Sequence, residues 1–207
     1  MKSKTKVVVI GGGVVGLNAA RVAAGLGANV TILDRSLLRL RHIDDLYGDR
    51  FNTLFSTAQT IEQQVVESDL VIGAILVPGA PTSKLVGRSL IKKMKANSVL
   101  VDVAIDQGGC FETSRPTTHS NPTFRIDDIV HYCVANMPGA VARTSTFALT
   151  NATLPYINKL AKSGIRALKR DPHLLAGLNI HRGSVTYKAV SETLGYDYIT
   201  PEDAIAG

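Results

Sequence analysis

The sequence predicts a doubly wound α/β domain built on a parallel sheet, followed by a shorter helical segment. Three observations point to it. Apolar runs of strand length alternate with helical patterns as far as about residue 140 of the 207. The runs are apolar without a polar face, as strands covered by helices on both sides must be. The first of them ends in a glycine turn that opens a helix.

Residues 6–10, Lys-Val-Val-Val-Ile, read as the first strand, and residues 14–26 as the helix that follows. Between them Gly11 permits a tight turn, Gly13 lets the backbone approach a pyrophosphate, and Gly16 lets the helix pack closely on the strand. The helix N-terminus, with Val14 and Val15 in its first turn, offers free N–H groups and a positive dipole end to phosphates. A second strand, residues 29–33, leads into Asp34, at the spacing of the carboxylate that hydrogen-bonds an adenosine ribose. A glycine-rich turn of an ordinary α/β domain is the alternative. Strand, turn, helix, strand and acid together predict a Rossmann-type dinucleotide site. Asp34 suits the ribose hydroxyls of NAD and repels the ribose phosphate of NADP, so NAD is the expected cofactor. The adjacent Arg35 weakens that preference, because an arginine pairs with phosphate.

Residues 36–47 follow as a charged helix ending at Gly48, then 52–55 as a short third strand and 60–67 as a helix. Residues 70–74 form a strongly apolar fourth strand, 89–95 a short helix, 99–103 the fifth strand and 129–134 the sixth. Ligands of such sheets bind beyond the carboxyl ends of the strands, so three loops are candidates. They are the apolar, proline-bearing stretch 75–81, the long segment 104–128 with little structure of its own, and residues 135–140. Beyond residue 140 the βα alternation stops. A helix over 145–161 interrupted at Pro155, a basic helix to Arg170, a loop through 181–183 and a last helix near 185–194 are expected. Residues 1–140 are thus the dinucleotide-binding domain. Residues 141–207 are too few for a sufficient core of their own and read as part of a second domain.

The chain is 45% hydrophobic and 19% charged, ordinary values for a globular core. Its net charge of +6 raises the question of nucleic acid. The basic residues are dispersed, however, apart from 92–95 and 159–170, and neither run interleaves aromatics suited to stacking bases. Solvated helix faces explain both runs, and no nucleic-acid partner is expected. No apolar run reaches the length of a membrane span, so no membrane partner is expected either. No signal peptide precedes the first strand. Cys110 and Cys133 have no metal-ligand spacing, and reduced thiols in a cytoplasmic protein are expected.

Several longer motifs carry a resemblance. Val9-Ile10-Gly11-Gly12-Gly13-Val14-Val15-Gly16, Val30-Thr31-Ile32-Leu33-Asp34-Arg35 and Asp69-Leu70-Val71-Ile72-Gly73-Ala74 are three of them. Val101-Asp102-Val103-Ala104-Ile105-Asp106-Gln107-Gly108-Gly109 and Glu112-Thr113-Ser114-Arg115-Pro116-Thr117-Thr118-His119 continue the pattern, as do residues 131–141 and 144–146. Together they resemble the cofactor-binding and C-terminal portion of the alanine dehydrogenase family, which is related to the NAD-binding subunit of proton-translocating transhydrogenase. The resemblance covers nearly the whole chain. It implies reversible oxidative deamination of L-alanine to pyruvate and ammonia, with hydride passing between the substrate α-carbon and the nicotinamide of NAD, in a homo-oligomer.

In that family the cofactor domain is inserted into a substrate domain. The larger N-terminal portion of that domain supplies an arginine and a lysine for the alanine carboxylate and a catalytic histidine. That portion has no counterpart here, and His42, His119, His131, His173 and His181 do not stand in for it, so the chain alone is expected to be inactive. Asp106 resembles the catalytic aspartate, which orients the nicotinamide region and helps activate the water that attacks the iminium. A loop-capping aspartate is the alternative. Ser56, Arg115, Val14 and Val15 resemble cofactor contacts, as do Ile75 and Leu76 beside the adenine or ribose, Val103, Ala104 and Ile105 at the carboxyl end of the fifth strand, and Val134, Ala135, Asn136 and Met137 beside the nicotinamide. Core packing is the alternative for Ile75, Leu76 and Met137. Arg39 either reaches the adenine-side ribose or is a solvated helical arginine. His119 reads as a hydrogen-bonded loop histidine rather than a metal ligand. Two competing outcomes are a non-catalytic NAD-binding module assembling with a partner chain, as transhydrogenase-like subunits do, and an inert remnant.

Overall fold

The computed structural model describes residues 4–75 and 82–206. These fall into two compact units, one reaching to Met137 and one starting at Pro138. The first unit holds a seven-stranded sheet of β1 (Lys6–Ile10), β2 (Asn29–Asp34), β3 (Asn52–Phe55), β4 (Leu70–Gly73), β5 (Val99–Asp102), β6 (Thr123–Ile126) and β7 (Ile129–Tyr132). Their spatial order is β3-β2-β1-β4-β5-β7-β6. Every neighbouring pair is parallel except β6 with β7.

Both faces of the sheet are covered. Val7 and Val9 of β1, with Val30 and Ile32 of β2, pack on one face with Ala20 of α1 (Val14–Gly25) and Ile43 of α2 (Leu37–Tyr47). Val8, Ile10, Leu33, Val71 and Leu100 point the other way, to Ile61 and Val65 of α3 (Ala58–Val66) and Ile91 of α4 (Arg88–Ile91). Residues of alternate parity therefore meet different helix layers, which is why these strands carry no polar face. Local chemistry sets the helix starts. The Ser36 hydroxyl accepts from Arg39 N at 3.2 Å to cap α2. Thr57 and Thr60 form a reciprocal capping box that starts α3 at Ala58, two residues before the 60–67 expected from the sequence.

The long segment after β5 is more structured than the sequence suggests. It opens with a tight 3-10 turn, Val103–Gln107, and later supplies β6, so the sheet has seven strands where six were expected. The β6–β7 hairpin turns through Asp127 (φ +49°) and Asp128 (φ +62°), both in the left-handed region that a two-residue type I′ turn requires. An Asp-Asp pair lacks the glycine that usually announces such a turn. It is held instead by Arg88, whose Nε donates to Asp127 at 2.9 Å, and by Asn97 N, which donates to the Asp128 carbonyl at 3.0 Å.

The second unit contains α5 (Ala142–Ser163), α6 (Arg166–Arg170), α7 (Pro172–Leu175), a ribbon of β8 (Ile180–His181) and β9 (Ser184–Val185), α8 (Lys188–Leu194) and α9 (Pro201–Ala206). Helix α5 runs through Pro155 without the expected interruption. Proline removes one i→i−4 hydrogen bond, but its fixed φ is helical and the bonds on either side persist. The 181–183 loop is the ribbon turn, with Arg182 and Gly183 at φ +47° and +85°. Pairing of Ser184 and Val185 in that ribbon delays the next helix to Lys188. Asp171 starts α7 by accepting from His173 N and Leu174 N, and Lys159 pairs with it at 2.6 Å. None of the α5 residues is buried. No helix among the described residues is long and apolar enough to cross a membrane.

Candidate functional site

Six of the seven strands run the same way, so the loops leaving them gather at one edge of the sheet. Strand β1 lies between β2 and β4, and the order reverses there, which opens a crevice at that edge. A cavity of about 490 Å³ fills it. Of the sequence-predicted residues it brings together Gly11, Gly13, Val14, Val15, Asp34, Ser56 and Ile75. Arg35, Ala74, Ser83 and Leu85 complete much of the wall. Ser83 and Leu85 carry no motif, and only the fold reveals them. A larger groove of about 1080 Å³ lies at the amino edge, among Lys4, Arg21, Tyr47 and Arg50. No α-helix begins among its lining residues, so it offers no open helix N-terminus.

The three glycines of the turn serve different ends. Gly11 sits at φ +104°, donates to the Leu33 carbonyl at 2.8 Å, and a Cβ on it would lie 2.6 Å from the Ala74 carbonyl oxygen. A Cβ on Gly16 would lie 1.8 Å from the Gly11 carbonyl oxygen. Gly13 is at an ordinary φ of −64°, and a Cβ there would meet nothing within 4 Å. Gly11 and Gly16 are therefore demanded by packing. Gly13 spares only space outside the protein. Helix α1 has no side-chain cap and no acid in its first turn, so its N–H groups stay open to an anion.

A clamp on Gly12 fixes the turn. Its N–H donates to Asp34 Oδ2 at 2.7 Å, and its carbonyl accepts from Arg39 Nε at 2.5 Å. Asp34 Oδ1 accepts from Ser36 N at 2.8 Å. Each carboxylate oxygen of Asp34 thus has one backbone donor and retains acceptor capacity for ribose hydroxyls. Arg39 braces the glycine turn, an arrangement between the two alternatives its sequence position suggested. Ser56 N extends the β2–β3 ladder by donating to the Asp34 carbonyl at 2.9 Å, which sets the Ser56 side chain on the cavity wall. These groups fit a dinucleotide: open helix N–H groups for phosphates, an acid for a ribose and an apolar wall at Ile75.

Past β5, Asp106 is exposed on the 3-10 turn, and its side chain makes no hydrogen bond or ion pair among the described residues. Ala104 and Ile105 are buried, so these residues offer backbone rather than side chain to a ligand. Val103 is half-buried. An extended stretch steadies the turn: Thr82 N donates to the Gln107 carbonyl at 2.9 Å, and Lys84 Nζ donates to the carbonyls of Gly108 and Phe111. Beneath it lies Asp102, fully buried, accepting from Cys110 N at 2.9 Å, Phe111 N at 3.3 Å and the Ser114 hydroxyl at 2.5 Å. Burial first, and the Asp102 charge second, push the Cys110 thiol up; burial also raises that of Cys133. Sequence reasoning passed over Asp102, because its partners lie in the following loop and form no motif.

At the end of β7, Val134 is buried and bridges to Thr117, while Ala135 is exposed and Met137 half-buried. Asn136 adopts φ +57°, and its carbonyl lies 3.0 Å from His119 Nε2, so His119 is a hydrogen-bonded loop histidine. The Arg115 guanidinium lies over the Phe124 ring at 4.3 Å, and Phe124 stacks on His131 at 4.8 Å. This places Arg115 outside the glycine-turn cavity. Buried His131 faces the Ile129 carbonyl with Nδ1 at 3.1 Å and the Thr113 hydroxyl with Nε2 at 2.7 Å. With Nδ1 as donor, Nε2 accepts from Thr113, and burial holds the ring's pKa below its usual value. Leu76 lies outside the described residues.

Residues 2–188 match the family model for the alanine dehydrogenase/PNT C-terminal domain. An alanine dehydrogenase of Halomonas elongata is 63% identical over 195 residues, which is 94% of this chain and 53% of that protein. The Bacillus subtilis alanine dehydrogenase is 53% identical over 205 residues, covering 98% of this chain and 54% of that one. A solved L-alanine dehydrogenase superposes with a TM-score of 0.83 at 49% identity, over 92% of this chain and 53% of its own. The transhydrogenase from Sinorhizobium meliloti follows with a TM-score of 0.65 at 26% identity, over 74% of this chain and 43% of its own. The chain spans about half the length of the curated relatives it matches. A match over residues 2–188, on a sheet whose order reverses at a glycine turn, places this chain in the alanine dehydrogenase/PNT C-terminal domain family.

Proposed function

We propose that this chain is the NAD-binding portion of an alanine dehydrogenase, a cytoplasmic homo-oligomeric enzyme that interconverts L-alanine with pyruvate and ammonia. The observation that carries the proposal is the cavity at the β1/β4 reversal, where the open N-terminus of α1, the bare Gly13 and Asp34 face one space. The N–H groups of α1 receive the pyrophosphate, and Asp34 receives the adenosine ribose and disfavours NADP. Ser56 and Ile75 contact the adenosine half. Residues 103–105 and 134–137 line the nicotinamide half together with Arg115. When bound, the dinucleotide supplies the hydride acceptor. Asp106, exposed and unpaired among the described residues, takes a proton from the attacking water. Residues 141–207 contribute to the substrate domain, and the groups that hold alanine come from a segment corresponding to the rest of the relatives.

Identity of 53–63% to alanine dehydrogenases, against 26% to the transhydrogenase, favours the enzyme over a non-catalytic module. The test is complementation in trans. The 207-residue chain alone is expected to give no alanine-dependent NAD reduction, because near-attack positioning of the substrate supplies roughly 7–11 kcal/mol in well-aligned cases. Adding the remaining segment of a relative is expected to restore turnover, and Asp106→Asn to abolish it with NAD affinity nearly intact. Turnover that survives Asp106→Asn would assign that residue to loop structure instead.

A further inference from the structure

The last residue of β5 is a carboxylate fully removed from solvent. Its Oδ2 accepts from two backbone N–H groups, of Cys110 and Phe111, and from the Ser114 hydroxyl. Its Oδ1 faces the Cys110 thiol at 3.6 Å, and Ser114 in turn faces the Cys133 thiol at 3.8 Å. Every one of these partners is neutral, and no ion pair to Asp102 exists among the described residues. In all of these contacts the partner donates, so both carboxyl oxygens act as acceptors. Its field reaches its neighbours, adding to burial at Cys110 and opposing it at His131. The following loop is wrapped onto it: Gly109 is at φ +77°, and a Cβ there would lie 2.5 Å from Oδ2. The cation on this loop, Lys84, binds the Gly108 and Phe111 carbonyls rather than the carboxylate. A buried carboxylate without a direct ion pair is costly, and a neutral acceptor could anchor the same turn at lower cost.

Its place in the fold suggests what the charge does. Strand β5 lies between β4, whose end lines the cavity, and β7, whose end carries residues 134–137. The glycine turn and Asp34 occupy the β1–β3 half and take the adenosine half of a dinucleotide, which leaves the nicotinamide half over β4, β5 and β7. A nicotinamide ring is cationic when oxidised and neutral when reduced. A fixed negative charge in a low-dielectric interior next to it favours the oxidised form. We propose that Asp102 is a specificity-determining residue whose charge sets the relative affinity for oxidised over reduced cofactor. This rests on the reading of the chain as a dinucleotide-binding unit.

Calorimetric titration of the 207-residue chain with NAD and, separately, NADH tests it. Asp102→Asn is expected to weaken NAD relative to NADH by about three- to tenfold. Ser114→Ala, which removes a donor and keeps the charge, is expected to leave the ratio within about twofold. If circular dichroism shows Asp102→Asn unfolded, Asp102→Thr tests the same loss of charge. A ratio unchanged by neutralising Asp102, or shifted equally by Ser114→Ala, would overturn the proposal. Failure of the underlying reading looks different: the unaltered chain binds neither form, and the proposal falls with it.

Discussion

At the scale of single residues, the structure separates side chains that hold the fold from those that face a ligand, and substitutions can expose the difference. Gly16→Ala drives a methyl into the Gly11 carbonyl and is expected to cost about 1–3 kcal/mol or more, seen as a lowered thermal midpoint. Gly13→Ala meets nothing in the protein, so the midpoint is expected to hold while NAD affinity falls. Equal thermal losses for the two would contradict the assignment. Asp34→Ala removes acceptors from both Gly12 and Ser36 as well as from the ribose. It is expected to lower the NAD-over-NADP preference by about tenfold, the scale of a charged hydrogen bond. Arg39→Ala loosens the same turn without touching that preference. His131 gives a pH dependence. Burial depresses its pKa, so the unfolded chain takes up the proton first as pH falls. Stability is therefore full above about pH 6.5 and declines below it. His131→Gln is expected to flatten that decline in a series of thermal melts, and an identical slope in the variant would assign it elsewhere. Gly11, Gly16 and Asp34 were legible in the sequence because phosphate-turn chemistry demands those residue types at fixed spacing. Asp102 and the Arg39 clamp were not, since their partners meet them only in the folded chain.

At the scale of elements, β1, β2, β4 and β5 were legible because helices cover both faces of the sheet and leave apolar runs, while β3 and β7 were placed by the alternation of strand and helix patterns. Strand β6 was hidden. Its four residues, Thr-Phe-Arg-Ile, alternate as an edge strand does, and its turn uses Asp127 and Asp128 without glycine. Replacing Asp128 with glycine relieves one left-handed residue and is expected to stabilise the chain by a few tenths to about 1 kcal/mol, measured by denaturant midpoint. A loss would show that the Asp128 side chain contributes more than its backbone strain costs. Helix α5 was placed correctly but cut at Pro155. The missing N–H weakens the helix there without ending it, because no buried side chain depends on the lost bond.

At the scale of the molecule, burial is uneven between the two units. The first has a cluster on each face of its sheet. In the second, Ala167, Leu168, Val185 and Ile205 are the buried apolar residues among those described, while Phe147, Leu149, Ile157 and Leu160 of α5 are exposed. Hydrogen exchange is therefore expected to be slowest in β1, β2, β4 and β5 and fast along α5. The central claim is that the first unit binds NAD through the glycine turn and Asp34. Isothermal calorimetry of the 207-residue chain with NAD and NADP tests it most directly. Measurable NAD binding, clearly tighter than NADP and narrowed by Asp34→Ala, is the predicted result; no binding, or equal affinity for the two, would contradict it.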